Sequence, residues 1–392
     1  MKITDRITYP SPRLAFSAIK VPWTVTKTVG EYYTTGTIYT KTDPEFENSV
    51  VKNVTVAVLA SLAVAASVSD AKLMPYPMYS MFKSQKGKGA AKDMPGFGET
   101  VDGDKEFLWV VKPSKAKYAI LYLHGGGYSF PLAPAQLIGM MGVWWALSPD
   151  KRENLAIAVL DYHLTTYRHY YPTQIFETIE AYRKLTAQGY EVILLGDSCG
   201  TNLALAAARF AAYPEEAKNH FSEYTQFNWD FSPLQPVKYL ILLAPWISPT
   251  CAAKPYPGVN HKGEFVALSI NEKGWDYIKN SDRAKVTPFV EFNSTNYKDH
   301  WAEVPAFNGK GSVLYIYGER EYFRESQESF AKEVGHNNFT SLMQPGGIHD
   351  CLFVAEVLDL KSSKGQRRMI AGEHRKKYNF GAIADYLEDI LP

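Results

Sequence analysis

Seven consecutive residues carry the clearest chemistry in the chain: Leu194-Leu195-Gly196-Asp197-Ser198-Cys199-Gly200. This is G-x-S-x-G directly after an apolar run and before a helical pattern. A serine in that setting sits on a sharp strand-to-helix turn. Its neighbours must be small for the backbones to approach, and the helix that follows aims its N-terminal amides at the hydroxyl. The expected chemistry is nucleophilic attack by Ser198. Asp197 reads as a helix-cap carboxylate more readily than as a group that tunes the serine. A glycine-rich turn with an incidental serine is the plainer reading, and other parts of the chain argue against it.

The first of these is His124-Gly125-Gly126-Gly127-Tyr128, which ends another apolar run. Consecutive glycines leave backbone N–H groups unshielded. Gly126 and Gly127, with the Cys199 amide, are the candidate donors for a developing oxyanion, and each such donor lowers the barrier by about 3–4 kcal/mol. His124 reads as structural, orienting this loop. The second is the base. Chain order for this arrangement is serine, acid, histidine. Of nine histidines, His349 stands in a glycine-rich loop near the C-terminus, Gly346-Gly347-Ile348-His349-Asp350; its nearest rival, His336, lies in a polar turn. The acid should follow the apolar run 313–317, in Gly318-Glu319-Arg320-Glu321. Register favours Glu321, with Glu319 as the alternative. Such an acid holds the imidazole in one tautomer and stabilises the imidazolium.

These motifs need elements to position them. Short apolar runs at 107–112, 119–124, 155–160, 191–195, 239–244 and 313–317 alternate with helical patterns at 174–187, 202–212, 326–334 and 382–391. That alternation implies α/β architecture, a mostly parallel central sheet with helices on both faces. The expected organisation is an N-terminal extension and cap over 1–104, then a catalytic domain over 105–392. An aromatic, proline-rich insertion at about 249–307 is far longer than a compact connection and reads as a lid.

The motifs together resemble the hormone-sensitive-lipase-like branch of the α/β-hydrolases. H-G-G-G-Y, G-D-S-C-G and G-G-I-H carry the likeness, with Asp161-Tyr162-His163-Leu164 and Tyr171-Pro172 matching that branch's D-Y-x-L and Y-P segments. The long N-terminal extension and the G-E-R-E-Y-F-R-E stretch resemble the fungal steryl acetyl hydrolases. The resemblance implies an endomembrane enzyme that removes acetyl groups from sterols, and it aligns Glu321 with the acid of D-P-L-R-D. Cys199 departs from the usual Ala, and Thr201 from a common Gly.

The function expected is therefore hydrolysis of a short acyl ester of a bulky apolar alcohol, with no cofactor and no metal. A cyclase, lactonase or acyl transferase using the same residues is the alternative. The balance of 42 basic and 41 acidic residues gives no electrostatic pull toward nucleic acid. Three cysteines, Cys199, Cys251 and Cys351, fit reduced thiols rather than a disulfide framework. No cleavable signal peptide is visible. The uncharged run 54–69 is shorter than the roughly 20 residues of a spanning helix and reads first as a buried or lid helix, second as an interfacial anchor and third as a membrane span. The apolar-aromatic stretch 14–33 is the candidate for peripheral membrane contact, which leaves cytoplasmic and endoplasmic-reticulum-associated locations both open. Oligomeric state is not encoded in any motif.

Overall fold

The computed structural model describes residues 9–74, 77–293, 301–335 and 338–392. Eight strands form one sheet: β1 (Thr100–Val101), β2 (Asp104–Val111), β3 (Tyr118–Leu123), β4 (Leu155–Leu160), β5 (Glu191–Asp197), β6 (Tyr239–Leu243), β7 (Ser312–Gly318) and β8 (Phe339–Gln344). Their order is β1-β2-β4-β3-β5-β6-β7-β8. The pairs β1–β2 and β2–β4 are antiparallel, and every pair from β4 to β8 is parallel.

The central strands are apolar on both faces because both faces are covered. In β3, Ala119, Leu121 and Leu123 pack into one core while Ile120 and Tyr122 pack into the other. In β5, Val192 and Leu194 face the first core, Ile193 and Leu195 the second. Helices Thr173–Ala187 and Cys199–Ala212 line the first face; Pro134–Trp145 and Tyr378–Ile390 line the second. Helix Pro134–Trp145 was not visible as a periodic pattern, because nearly all its side chains are buried and no polar stripe marks one face.

The N-terminal region is mostly helical, with Pro12–Ile19, Val21–Tyr33, Val50–Ala65 and Met78–Gln85. It also supplies β1, so its last residues belong to the sheet and are not only loop and cap. The uncharged run at 54–69 falls largely in helix Val50–Ala65, which buries Lys52, Asn53, Val56 and Ala60 and leaves Val51 and Val64 exposed. Among the described residues no helix is long and apolar enough to cross a membrane. The insertion holds helices Asn271–Tyr277 and Arg283–Val290.

Candidate functional site

The site lies at the C-terminal edge of the sheet. Ser198 follows β5 directly and takes φ 51°, ψ −117°, a conformation that β-carbon sterics disfavour. The glycines on either side of it are required by close approach. A Cβ on Gly200 would stand 1.9 Å from the Leu123 carbonyl oxygen, and one on Gly196 would stand 2.3 Å from the Gly200 carbonyl carbon. The motif's small residues are thus dictated by the packing of β5 and helix Cys199–Ala212 on β3.

Three side chains from separate parts of the chain meet here. His349 Nε2 lies 2.9 Å from Ser198 Oγ, and His349 Nδ1 lies 2.7 Å from Glu321 Oε2. Glu321 is fully engaged: its Oε1 accepts the Gly318 N–H at 2.6 Å, and its Oε2 also accepts the Gln327 amide at 2.9 Å. Glu319 points elsewhere and accepts the Gly346 N–H at 2.7 Å. All three members of the relay are buried. His336 lies outside the described residues.

The glycine loop after β3 is held from below. Asp197 does not cap the helix that follows it. Its Oδ1 accepts the Gly125 N–H at 2.8 Å and the Tyr122 hydroxyl at 2.6 Å, and its Oδ2 accepts the Gln136 amide at 2.9 Å. Each donor stabilises the anion, yet burial dominates and pushes this carboxyl up to about 6. His124 does orient the loop: Nδ1 lies 2.7 Å from the Gly125 carbonyl oxygen, and the ring stacks on Tyr162 at 4.2 Å. Burial lowers its pKa to about 4, so it remains a neutral strut. The Tyr162 hydroxyl donates to the His124 carbonyl oxygen at 2.6 Å, a role its D-Y-x-L setting did not disclose.

Gly126 and Gly127 take φ 123° and 60°, which only glycine adopts readily. Among the described residues the amides of Gly126 and Cys199 make no hydrogen bond, which leaves both donors to the site. The Gly127 amide lies against the Cys199 thiol, and the Tyr128 N–H donates to the same sulfur at 3.3 Å. Cys199 is fully buried, and burial pushes its thiol up to about 12, so it acts as a filler and weak acceptor.

Two further carboxylates reach His349 that no motif announced. Glu264, from the insertion, accepts the His349 backbone N–H at 3.1 Å on both oxygens, and its Oε1 also accepts the Phe265 and Val266 amides. Burial, then the nearby Glu321, pushes Glu264 up to about 7. Asp350 places Oδ2 3.4 Å from His349 Nε2. Adjacency to His349 was the only signal for Asp350, and Glu264 had none. Among the described residues no three His, Cys, Asp or Glu side chains are grouped to hold a metal ion, and Cys199, Cys251 and Cys351 are free thiols.

The steryl acetyl hydrolase family model matches residues 97–350. The protein mug81 of Schizosaccharomyces pombe, provisionally named a steryl acetyl hydrolase, is 24% identical over 394 residues, covering 96% of this chain and 98% of that protein. An esterase of Acinetobacter venetianus is 32% identical over 235 residues, covering 58% of this chain and 67% of its own. Among solved structures, a thermostable esterase from Pseudomonas putida superposes with a TM-score of 0.50 at 14% identity, over 86% of this chain and 97% of that one, a likeness of fold. The chain is an α/β-hydrolase that belongs to the steryl acetyl hydrolase family, and it is a carboxylic ester hydrolase.

Proposed function

We propose that the protein is a serine esterase that removes a short acyl group, an acetyl in the first instance, from a bulky apolar alcohol such as a sterol or terpenoid. The observation that carries the serine mechanism is the unbroken relay from Ser198 Oγ to His349 (2.9 Å) to Glu321 (2.7 Å) on a strained serine. The acyl and alcohol classes are supported by family membership.

In this reading His349 Nε2 takes the Ser198 proton as Oγ attacks the ester carbonyl carbon. The carbonyl π electrons move to oxygen, where the Gly126 and Cys199 amides hold the charge; the Gly127 amide, also expected as a donor, is turned to the Cys199 thiol. Glu321 keeps Nδ1 protonated and stabilises the imidazolium. The tetrahedral adduct collapses, the C–O bond to the alcohol breaks, and Nε2–H protonates the leaving oxygen. Water, deprotonated by the same nitrogen, then attacks the acyl-serine, and collapse releases the carboxylic acid and Ser198. The segments proposed to cover the site are the insertion at about 249–307 and the N-terminal cap.

The same reading places the N-terminal helices on a membrane surface, where an apolar ester would be found. Phe16, Ile19 and Trp23 are exposed by 60%, 77% and 68%, an unusual cost for side chains facing water alone.

The test is covalent labelling by a fluorophosphonate. Wild-type protein should label and Ser198→Ala should not; labelling that persists in the variant ends the serine reading. A panel of acetate, butyrate and octanoate esters of one alcohol then reads the acyl preference, and equal turnover across the panel would refute the short-acyl assignment.

A further inference from the structure

Three buried carboxylates surround His349, and they are not equivalent. Glu321 accepts Nδ1–H and spends its remaining capacity on Gly318 and Gln327. Glu264 is surrounded by backbone N–H donors from Phe265, Val266 and His349. Asp350 has no such support. Its Oδ2 faces Nε2 at 3.4 Å, and its Oδ1 is buried with no hydrogen-bond partner among the described residues.

The other groups facing Asp350 do not help it. Asp197, across the site, adds a like charge, and the neighbouring Tyr122 hydroxyl is spent on Asp197. The cleft beneath is lined by Ile316, Leu352 and Phe353 among others and contributes no Lys or Arg. Among the described residues the one cationic partner within reach is therefore the imidazolium of His349 itself.

Building on the proposed roles of Ser198 and His349, we infer that Asp350 is a second counter-charge for His349 that sets the pH at which this histidine can serve as a base. Asp350 acts through the imidazole and touches no substrate, so it is a positioning residue. The proton accounting is simple. When the two groups together hold one proton, it resides either on Nε2, giving an imidazolium–carboxylate pair, or on Asp350. In the first form Nε2 has no lone pair to accept the Ser198 proton, and the site is idle. In the second Nε2 is free. The 3.4 Å contact favours the first form. Burial alone would push the imidazole down; the carboxylates of Asp350, then Glu321 and Glu264, reverse this and raise it to about 10. Activity then requires either that this shared proton sit on Asp350 or that it be lost at higher pH, with the Nδ1 proton held by Glu321 in both cases.

The test replaces the carboxyl while keeping the backbone. Asp350 is left-handed, at φ 52° and ψ 38°, a conformation that Asn and Gly adopt with least strain, so Asp350→Asn and Asp350→Gly should both fold. The rate of fluorophosphonate labelling is measured between about pH 5 and pH 10 for wild type and both variants. The acid limb should move to lower pH by about one unit or more in both variants, which should label faster than wild type near the lower end of the range. A limb that stays in place, or moves up, overturns the inference while leaving the serine nucleophile intact. A wild type that labels at no pH removes the nucleophile and this inference together.

Discussion

Replacing Glu321 with Gln tests the relay most sharply, because the change preserves shape and removes only the ability to accept on both sides. The carboxylate satisfies three donors: Gly318 N–H at 2.6 Å, Gln327 Nε2 at 2.9 Å and His349 Nδ1 at 2.7 Å. A carboxamide has one oxygen and one NH2. If its oxygen keeps the Gly318 N–H, its NH2 faces Nδ1–H and the Gln327 amide, donor against donor. Gln327 can relieve its part by turning its own amide. His349 can relieve the rest only by moving its proton to Nε2, and Nε2 then no longer accepts from Ser198. If instead the oxygen serves His349, the NH2 faces the buried Gly318 N–H, which loses its partner. Either arrangement misplaces the base. Loss of the corresponding acid in serine hydrolases costs about 10⁴ in kcat, or roughly 5.5 kcal/mol of barrier. We expect Glu321→Gln to lower kcat on a chromogenic acetate by that order, with KM nearly unchanged. Glu319→Gln retains an oxygen for the Gly346 N–H and touches no part of the relay, so its kcat should fall by less than about 10-fold. A Glu321→Gln enzyme within about 10-fold of wild type, or a larger loss at Glu319, would refute the assignment of the acid.

Two further outcomes follow from the N-terminal layer. Lys52 and Lys377 bridge Glu45 and Asp359, joining helix Val50–Ala65 to the C-terminal part of the chain. Lys377→Met should destabilise by about 2 kcal/mol in denaturant unfolding, below the roughly 3–5 kcal/mol of a fully buried pair because Asp359 is 37% exposed; an unchanged midpoint would count against a structural role. Asp359 is partly buried, which opposes its charge, but hydrogen bonds from Lys377 and Lys52 lower its pKa below the ordinary value. Its contribution is therefore complete above the unfolded-state pKa of about 3.9 and is lost as pH falls through the lower folded value. In the variant the folded pKa lies closer to the unfolded value, so the loss should be smaller and should end at higher pH. For the proposed membrane contact, Phe16→Ser with Trp23→Ser should reduce co-sedimentation with phosphatidylcholine vesicles several-fold while leaving turnover of a soluble acetate unchanged; equal sedimentation would exclude this face.

The parts of the molecule legible in the sequence are those whose physics is local. The strands at 155–160 and 191–197 are short apolar runs bounded by turn residues, buried on both sides, and they read as such. Strand β8, Phe-Thr-Ser-Leu-Met-Gln, does not, because it pairs only with β7 and stays half-exposed at the sheet edge. The two residues of β1 are too few for any pattern. At the site, Ser198, Gly126 and Gly127 stand out because a strained turn and unshielded amides require particular residues at particular spacings. Asp197 reads in the sequence as a helix-cap carboxylate and is instead a support of the glycine loop, since Tyr122, Gly125 and Gln136 meet it only through the packing of β3, β5 and helix Pro134–Trp145. Glu264 looks like any glutamate in a polar loop. What makes it buried is the seating of the insertion on the His349 loop, a long-range fact that composition and periodicity do not carry.

That seating bears on what the extension and the insertion do. Arg320, beside Glu321, donates to the Asn260 and Lys262 carbonyl oxygens of the insertion and to Thr42 Oγ1 of the N-terminal region. Its own carbonyl oxygen lies 2.7 Å from His261 Nδ1, and His261 Nε2 accepts the Tyr256 N–H. The Tyr39 hydroxyl donates to the Gly263 carbonyl oxygen, one residue before Glu264. Gln344 and Gly346, on the approach to His349, meet Asp43 and Thr42; a Cβ on Gly346 would stand 1.8 Å from the Thr42 carbonyl oxygen. The loops that carry Glu321 and His349 are thus each touched by both segments, through side-chain contacts of Arg320 and Gln344 and through the Arg320 carbonyl oxygen and the His349 N–H. Misplacement of such loops by about 1 Å can cost 10²-fold in rate. The extension and the insertion, proposed above to cover the site, therefore also support the loops of His349 and Glu321, and a change at Tyr39 or Arg320 should act on the proposed relay through those loops.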